Sequence, residues 1–537
     1  MTARAGGPGS LARGAAVITI ATALSRVTGF ARVLVVAGAM GATFLANTYQ
    51  TANTAPNVIF ELLAAGVLTS VFVPTFVDYI VRGEREEGWA AGNALTSVAL
   101  VALVGIAALL GLAAPLVMRV LTLGVDDTSL RADEIALGAR FLRLFAPQIV
   151  FYGAGMIMTG VLHAHRRFGI AAAAPIFNNV IVIVVYLVYA GMRSGAAPTV
   201  RGITPEEVWV LGAGTTLGVV AMTVCLIPQL RRLGWRFRWR FDLDHPAVRR
   251  GARLGVWALG YAGGYQAGLI VVLLLANRIE GGVAAYQWAY TFFYMPHALF
   301  AIPIFSVLFT AMAEHAAQQD TEGILERLQQ GLSLLAFALV PVAAALIALS
   351  HPLSILTLEY GVMTPEGAAL VGRVIAAFAI GLPTFSVFLI FTRAFYALGL
   401  TKVPTVVNAI AVATSSAAGV IFFFSAAAGW EVAGLALAHS LGFAIGALLL
   451  GKALVRKLGR VTGTRVVAAV LRAAVAGTAA FVVMLVGAWR LPEGSNVEAL
   501  INVVVAGTAG AIVYVVAMAY QRSPELAQIG RLLGRRG

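Results

Sequence analysis

The chain has 537 residues, of which 60% are hydrophobic and only 12% charged. A soluble domain carries about a quarter of charged residues, so this composition excludes a soluble enzyme and indicates a polytopic membrane protein. Cys225 is the only cysteine, which excludes an intramolecular disulfide. The net charge of +14 is concentrated in alternate loops, which argues for membrane topology and against nucleic-acid binding.

Hydropathy predicts an all-α fold with about fourteen transmembrane helices and no soluble domain of useful size between them. The first apolar run is too long for a signal peptide and carries internal arginines. Pro56 and Pro74 predict a bent second helix that extends beyond the bilayer. The predicted spans are 15–41, 44–80, 89–121, 133–162, 168–192, 206–230, 250–279, 283–313, 324–350, 366–397, 402–427, 431–453, 464–489 and 497–520.

The first span contains two arginines in an otherwise apolar run. A charged side chain at the centre of a membrane helix costs about 2.5–3.5 kcal/mol on insertion scales, so such residues normally face a water-filled cavity. Arg26 and Arg32 lie roughly 120° apart around the helix axis, and Gly29 lies midway between them. We therefore predict a cationic cavity for an anion, lined also by Ser25 and Gly29.

A polar stripe follows in the second span at steps of three and four residues, which is typical of one helix face. Inside a membrane, such a face must contact protein or a cavity. We predict that the stripe lines the cavity, the alternative being a hydrogen-bonded seam between helices. Its last residue, a glutamate, pairs with one of the arginines, takes up a proton during a transport cycle, or lies at the membrane edge. The stripe consists of Asn47, Gln50, Asn53, Asn57 and Glu61.

The eighth span carries aromatic residues at helical spacing. One interpretation is packing or an interfacial aromatic belt. The other is substrate contact, in which Tyr290 and Tyr294 line the cavity.

Alternate loops differ in their basic residues. One set includes Arg166, Arg167 and the runs 231–250 and 452–465, whereas the opposite set is neutral to acidic, as at 124–134. The positive-inside rule therefore places both termini in the cytoplasm.

Similar segments recur six spans apart, which indicates a parallel duplication into two six-helix lobes followed by two further helices. The predicted domains are an N-terminal lobe (1–230), a basic cytoplasmic linker (231–249), a C-terminal lobe (250–457) and a final segment with two helices and a basic cytoplasmic tail (458–537). The sequence shows no catalytic constellation, metal-ligand cluster or phosphate-binding glycine loop. We therefore predict a transporter without catalytic residues, metal or cofactor.

The motif SRVTGFAR at 25–32, with PN at 56–57 and FVP at 72–74, resembles the MurJ/MviN family of bacterial lipid II flippases. The segment RAFYALGLTKVP at 393–404 is similar to that family's second-lobe signature. The resemblance covers essentially the whole chain and implies membership of the multidrug/oligosaccharidyl-lipid/polysaccharide exporter superfamily. It implies movement of lipid II, an undecaprenyl-diphosphate-linked precursor of the cell wall, from the inner to the outer leaflet of the bacterial plasma membrane by alternating access.

The resemblance also implies that Arg26 and Arg32 match the family's cavity arginines, which engage the diphosphate; guanidinium groups suit phosphate oxygens bidentately. The implied partners are lipid II, membrane lipids and cell-wall synthesis proteins. The chain departs from the family where charged residues are common, namely at Val33, at Asn47, near Thr291 and near Phe60. The alternatives are a polysaccharide-lipid flippase or a drug/cation exporter of the same superfamily, a polyprenyl-phosphate enzyme, and a scaffold for cell-wall synthesis.

Overall fold

The fold consists of helices joined by short loops, without strands in the residues that are described. The chain forms two compact units, Met1–Gly281 and Gly282–Gly537. Side chains in the first and third helices are described from residues 17 and 86 onward. The computed structural model describes residues 8–63, 85–243, 263, 266–459, 463–492 and 494–528.

The first unit is built around helices that run the length of a membrane span, with short helices at their ends. The helices are α1 (Pro8–Met40), α2 (Phe44–Leu63), α3 (Arg85–Leu112), α4 (Ala114–Leu121), α5 (Thr128–Phe145), α6 (Gln148–Ala164), α7 (Phe168–Arg193), α8 (Pro205–Val224), α9 (Ile227–Arg232) and α10 (Gln266–Ala276).

The second unit begins with a helix that contains Pro296 and passes into a short π-helical turn, His297–Ala301. Its helices are α11 (Gly282–Pro296), α12 (Ile302–Ala317), α13 (Thr321–Ala348), α14 (Ser350–Leu358), α15 (Pro365–Ile380), α16 (Leu382–Ala397), α17 (Lys402–Ser425), α18 (Glu431–Leu458), α19 (Thr464–Arg490) and α20 (Asn496–Tyr520).

Eleven spans in the described residues are long and apolar enough to cross a membrane, and the pair α15–α16, bent by 46°, makes a twelfth. These twelve coincide with twelve of the predicted spans, which confirms an all-α, multi-pass membrane protein. The other two predicted spans, 44–80 and 250–279, extend into residues outside the described ranges, and so does Pro74.

Side-chain caps determine where several helices begin. The Asp127 carboxylate accepts hydrogen bonds from the backbone N–H groups of Leu130 and Ser129, so α5 begins five residues before the predicted start at 133. The bond from Leu130 and those from Ser129 hold the pKa of Asp127 below its usual value. Thr204 and Glu207 form a reciprocal capping box at the start of α8.

Close helix pairs define the core of each unit. In the first unit, α1 packs along α7, α7 along α8, and α2 along α5. In the second unit, α17 packs along α18 and α13 along α19. The last helix, α20, is tied to α13 by Tyr514, whose hydroxyl donates to the Phe337 carbonyl oxygen at 2.7 Å. The two C-terminal helices therefore pack within the second unit.

The segment 266–281 packs in the first unit, although the predicted C-terminal lobe starts at 250. The Asn277 amide donates to Thr51 at 3.2 Å and to the Leu121 carbonyl oxygen at 3.0 Å. Arg278 donates to both carboxylate oxygens of Asp126, at 2.7 and 2.5 Å. These polar contacts fix the segment against α2 and the loop that follows α4. Of the predicted linker, residues 244–249 lie outside the described ranges.

A buried ion pair joins α7 to α8. Arg193 Nη1 lies 3.0 Å from Glu207 Oε2, and the two side chains are only 9% and 6% exposed. Breaking a buried pair by removing one partner costs about 3–5 kcal/mol, because the remaining charge stays buried without compensation. We expect Arg193→Met to lower the unfolding temperature of the purified protein markedly, and Arg193→Met/Glu207→Gln to recover much of the loss.

Arg201→Met is the control, because Arg201 and its partner Asp133 form a solvent-exposed pair. Exposed pairs contribute only about 0–1 kcal/mol. Equal unfolding temperatures for Arg193→Met and Arg201→Met would contradict the assignment of a stabilising role to the buried pair.

Candidate anion-binding site

Helix α1 carries both predicted arginines into the first unit. Arg32 lies about 12 Å along the helix axis from the end of α1 at Met40, and Arg26 lies about 9 Å further away. Arg32 is half-buried, whereas Arg26 is exposed. Arg32 is therefore the arginine that the folded unit partly encloses.

A chain of hydroxyl groups crosses the interior of the first unit beside Arg32. The Tyr49 hydroxyl lies 2.6 Å from Thr215 Oγ1 and 3.1 Å from the Tyr186 hydroxyl. Thr215 uses its single proton on the Leu211 carbonyl oxygen, at 2.6 Å. Tyr49 must then donate to Thr215, and Tyr186 to Tyr49, because each hydroxyl has one proton. Both phenol oxygens thus keep at least one lone pair for a further donor.

Arg32 lies close enough to three phenols for its charge to act on them, namely those of Tyr49, Tyr152 and Tyr186. We call these three tyrosines the phenol cluster. Across the described ranges, Arg32 forms no ion pair and its guanidinium donates no hydrogen bond. The phenol dipoles thus stabilise the cation without neutralising it, which leaves its charge and its donors for an anion.

The predicted polar stripe of α2 divides into two parts. Asn47 is fully buried, and its amide donates to the Ile279 carbonyl oxygen at 2.8 Å. The prediction that Asn47 lines a cavity is therefore wrong: it belongs to the seam that holds 266–281. Gln50, Asn53 and Asn57 keep partial exposure.

Glu61 is exposed at the other end of the stripe and forms no ion pair with the residues that the structure describes. The alternative in which it pairs with an arginine is not observed. Its carboxylate and Arg32 both act electrostatically on Tyr152, so both charges lie near the same phenol. The ring of Phe60 packs on Tyr152, with centroids 4.7 Å apart.

Asn179 of α7 lies beside Gly29. The Asn179 amide donates to the Ser25 carbonyl oxygen and to Thr28 Oγ1, at 3.1 Å each. A Cβ atom added at Gly29 would lie 3.4 Å from the same amide nitrogen. The Ser25 backbone and Gly29 therefore contribute to the contact of α1 with α7, while a role of Ser25 and Gly29 in lining a cavity stays a prediction.

The two predicted tyrosines of the second unit lie in an aromatic cluster on α11. Tyr290 and Tyr294 are half-buried and stack with ring centroids 5.9 Å apart. Tyr290 also contacts Phe378 and His439, at 5.6 and 5.9 Å between centroids. These contacts establish packing in the second unit, and a role of the tyrosines in lining a cavity stays a prediction.

Comparison with known proteins identifies the family. The sequence pattern described as "Lipid II flippase MurJ" matches residues 36–504. The chain belongs to the lipid II flippase MurJ family. A relative from Rhizobium tropici, named "Probable lipid II flippase MurJ", is 28% identical over 406 residues, which cover 75% of this chain and 74% of the relative.

Solved structures share the fold of this chain. A structure titled "Lipid II flippase MurJ, inward closed conformation" aligns with a TM-score of 0.77 at 19% identity, covering 94% of this chain and 98% of that one. An inward-facing multidrug resistance MATE family transporter of the MOP superfamily aligns with a TM-score of 0.65 at 12% identity, covering 81% and 95%. At these identities, the likeness concerns the fold alone.

At the positions where the resemblance implies charged residues, this chain has residues that pack or bond within the protein. Val33, directly after Arg32, is buried. Phe60 packs on Tyr152, and Thr291 donates within its own helix to the Gln287 carbonyl oxygen at 3.2 Å.

Sequence reasoning missed the phenol cluster and a buried carboxyl group, Glu134. The tyrosines are spread over α2, α6 and α7, and nothing in their local sequence shows that the three helices meet. Glu134 lies inside the predicted span 133–162 but also ends the acidic run 124–134, and nothing in the sequence shows that its side chain is fully buried.

Proposed function

We propose that the chain moves lipid II from the inner to the outer leaflet by alternating access, with Arg32 and Arg26 as ligands of the diphosphate. The observation that carries this proposal is the environment of Arg32 in a member of the MurJ family. Its cation is half-buried, acts electrostatically on three phenols and has no carboxylate partner in the described residues.

A diphosphate fits this environment better than an organic cation does. A guanidinium presents two parallel N–H donors to phosphate oxygens, and such charged hydrogen bonds are about twice as strong as neutral ones. A drug or cation exporter would need a carboxylate where Arg32 lies. The polarity beside α1 therefore supports an anionic substrate.

The rest of the substrate headgroup needs neutral hydrogen-bonding groups for its sugar and peptide parts. The exposed part of the α2 stripe supplies them, and we propose that Gln50, Asn53, Asn57 and Glu61 line the path of the headgroup. Tyr290 and Tyr294 are proposed as lining residues contributed by the second unit. As a flippase, the protein would have as partners lipid II, membrane lipids and the cell-wall synthesis proteins that use the exported precursor.

The distribution of charge at helix ends supports cytoplasmic termini. Arg166 and Arg167 lie between α6 and α7, and Arg231 and Arg232 end α9. The starts of α5, α8 and α15 are instead capped by Asp127, Thr204 and Thr364 and carry acidic residues nearby. The positive-inside rule then assigns the arginine-rich ends to the cytoplasm. We also propose that the chain consists of two six-helix lobes followed by two further helices.

Reconstituted full-length protein provides the direct test. Vesicles that contain labelled lipid II are treated with a membrane-impermeant reagent that attacks the headgroup, and the fraction that becomes reactive is followed in time. We expect the protein to expose inner-leaflet headgroups far faster than protein-free vesicles do, and to leave a neutral phospholipid in place. An exposure rate equal to that of protein-free vesicles would overturn the proposal.

A further inference from the structure

Glu134 is a carboxyl group with no exposed surface inside the first unit. It lies on α5 in the second turn after the Asp127 cap, and its side of the helix packs on α2. Its Oε2 atom has no hydrogen-bond partner among the described residues. An ionised carboxylate buried without a cation costs several kcal/mol, so this group requires a bound proton or a bound cation.

The contact between Glu134 and Thr48 favours a bound proton over a bound cation. Thr48 Oγ1 lies 3.2 Å from Glu134 Oε1 and 2.8 Å from the Phe44 carbonyl oxygen. The Thr48 hydroxyl has one proton, which it donates to the Phe44 carbonyl oxygen because that contact is the shorter one. Thr48 Oγ1 can then only accept from Glu134, and an acceptor there is complementary to a protonated carboxyl group.

In the described part of the first unit, no basic side chain lies where it could neutralise a carboxylate at Glu134. Helices α2, α3, α4 and α8 pack against α5, and none of their charged groups acts electrostatically on Glu134. Arg131, one turn earlier on α5, donates instead to the Arg119 carbonyl oxygen at 3.3 Å. Arg278 lies near the end of the segment 266–281, which contacts the loop after α4. Besides Glu134, the titratable and charged side chains described on α5 and on the four helices packed against it are Tyr49, Glu61, Glu86, Glu87, Arg119, Arg131, Asp133, Arg140, Arg143, Glu206 and Glu207.

We propose that Glu134 is a proton-binding site, and that its proton is bound and released during the transport cycle. On release, the O–H bond of the carboxyl group breaks and the proton passes to water, which leaves a carboxylate at Glu134. This role in transport rests on the proposed function, whereas proton binding itself does not.

Helix α2 connects this site to the arginine. Thr48 and Tyr49 are consecutive residues, so one contacts Glu134 while the next belongs to the phenol cluster beside Arg32. A carboxylate formed at Glu134 can no longer donate to Thr48 and must recruit donors or water. Such a rearrangement at Thr48 shifts the α2 turn that holds Tyr49, which links proton release to the surroundings of the diphosphate ligand.

Infrared difference spectroscopy of the full-length protein in lipid vesicles tests the proton site without substrate. We expect the wild type at neutral pH to show a carboxylic-acid C=O stretching band that is lost in Glu134→Gln and kept in the control Glu61→Gln. Thr48→Val should retain the band but shift it to higher frequency, because the carboxyl group loses its acceptor. A Glu134→Gln spectrum that matches the wild type in this region would overturn the proposal.

Lipid II exposure at several pH values tests the coupling. We expect the wild-type rate to depend on pH and the Glu134→Gln rate to be independent of pH. Equal pH dependence in both proteins would refute the coupling. A wild type that exposes no lipid II at any pH would instead refute the proposed function, and the infrared result would still stand.

Discussion

Replacing Arg32 by glutamine is expected to reduce lipid II exposure to the level of protein-free vesicles while the protein remains folded. Glutamine removes the cation and the fork of donors, and a hydrogen bond to a charged group contributes about 1.5–3 kcal/mol, which corresponds to roughly 10- to 100-fold weaker binding for each bond lost. Folding should persist, because no carboxylate among the described residues depends on Arg32.

Two further variants sharpen this result. Arg32→Lys keeps the charge but loses bidentate geometry, so we expect an intermediate rate. Arg490→Gln removes the same functional group from the exposed end of α19 and should retain the wild-type rate. The rates are measured in the vesicle assay, with thermal unfolding as the test of folding. Wild-type transport by a folded Arg32→Gln protein would remove the diphosphate role from Arg32.

The sequence predicts the membrane helices well because their signal is local. Twelve spans could be located from apolar runs alone, and Arg32 could be singled out because a charge inside such a run is expensive. The start of α5 was misplaced for an equally local reason: its first two turns are polar, and the Asp127 cap turns an apparent acidic loop into helix.

The positions of polar side chains were harder to predict, because they depend on which helices meet. Periodicity correctly put Asn47 on a polar face, but only the fold shows that this part of the face contacts the Ile279 carbonyl oxygen. Likewise, the sequence cannot show that the Asn179 amide bonds to the α1 backbone beside Gly29. The phenol cluster joins Tyr49 to two tyrosines more than a hundred positions further along the chain, which no pattern within one helix can reveal.

Gly442→Ala is expected to lower the stability of the second unit strongly, although it adds one methyl group. Gly442 lies on α18 where that helix packs on α17. A Cβ atom there would overlap the Ala411 carbonyl oxygen and lie 2.8 Å from Ser415 Cβ. The overlap is with backbone, so rotation of a side chain cannot relieve it, and the two helices must separate. Small residues permit such close approach in membrane helices, and overpacking costs about 1–3 kcal/mol.

Gly105→Ala on α3 is the matched control, since no heavy atom lies within 4 Å of the added Cβ position. There alanine should be neutral or stabilising by up to about 1 kcal/mol, because it has a higher helix propensity than glycine. Thermal unfolding of both purified variants measures the contrast, and Gly442→Leu should abolish the folded yield. If Gly442→Ala and Gly105→Ala unfold at the same temperature, then contact with α17 does not restrict position 442. If they differ as expected, the close approach of α17 and α18 is what requires glycine there, because the chemical change is the same at both sites.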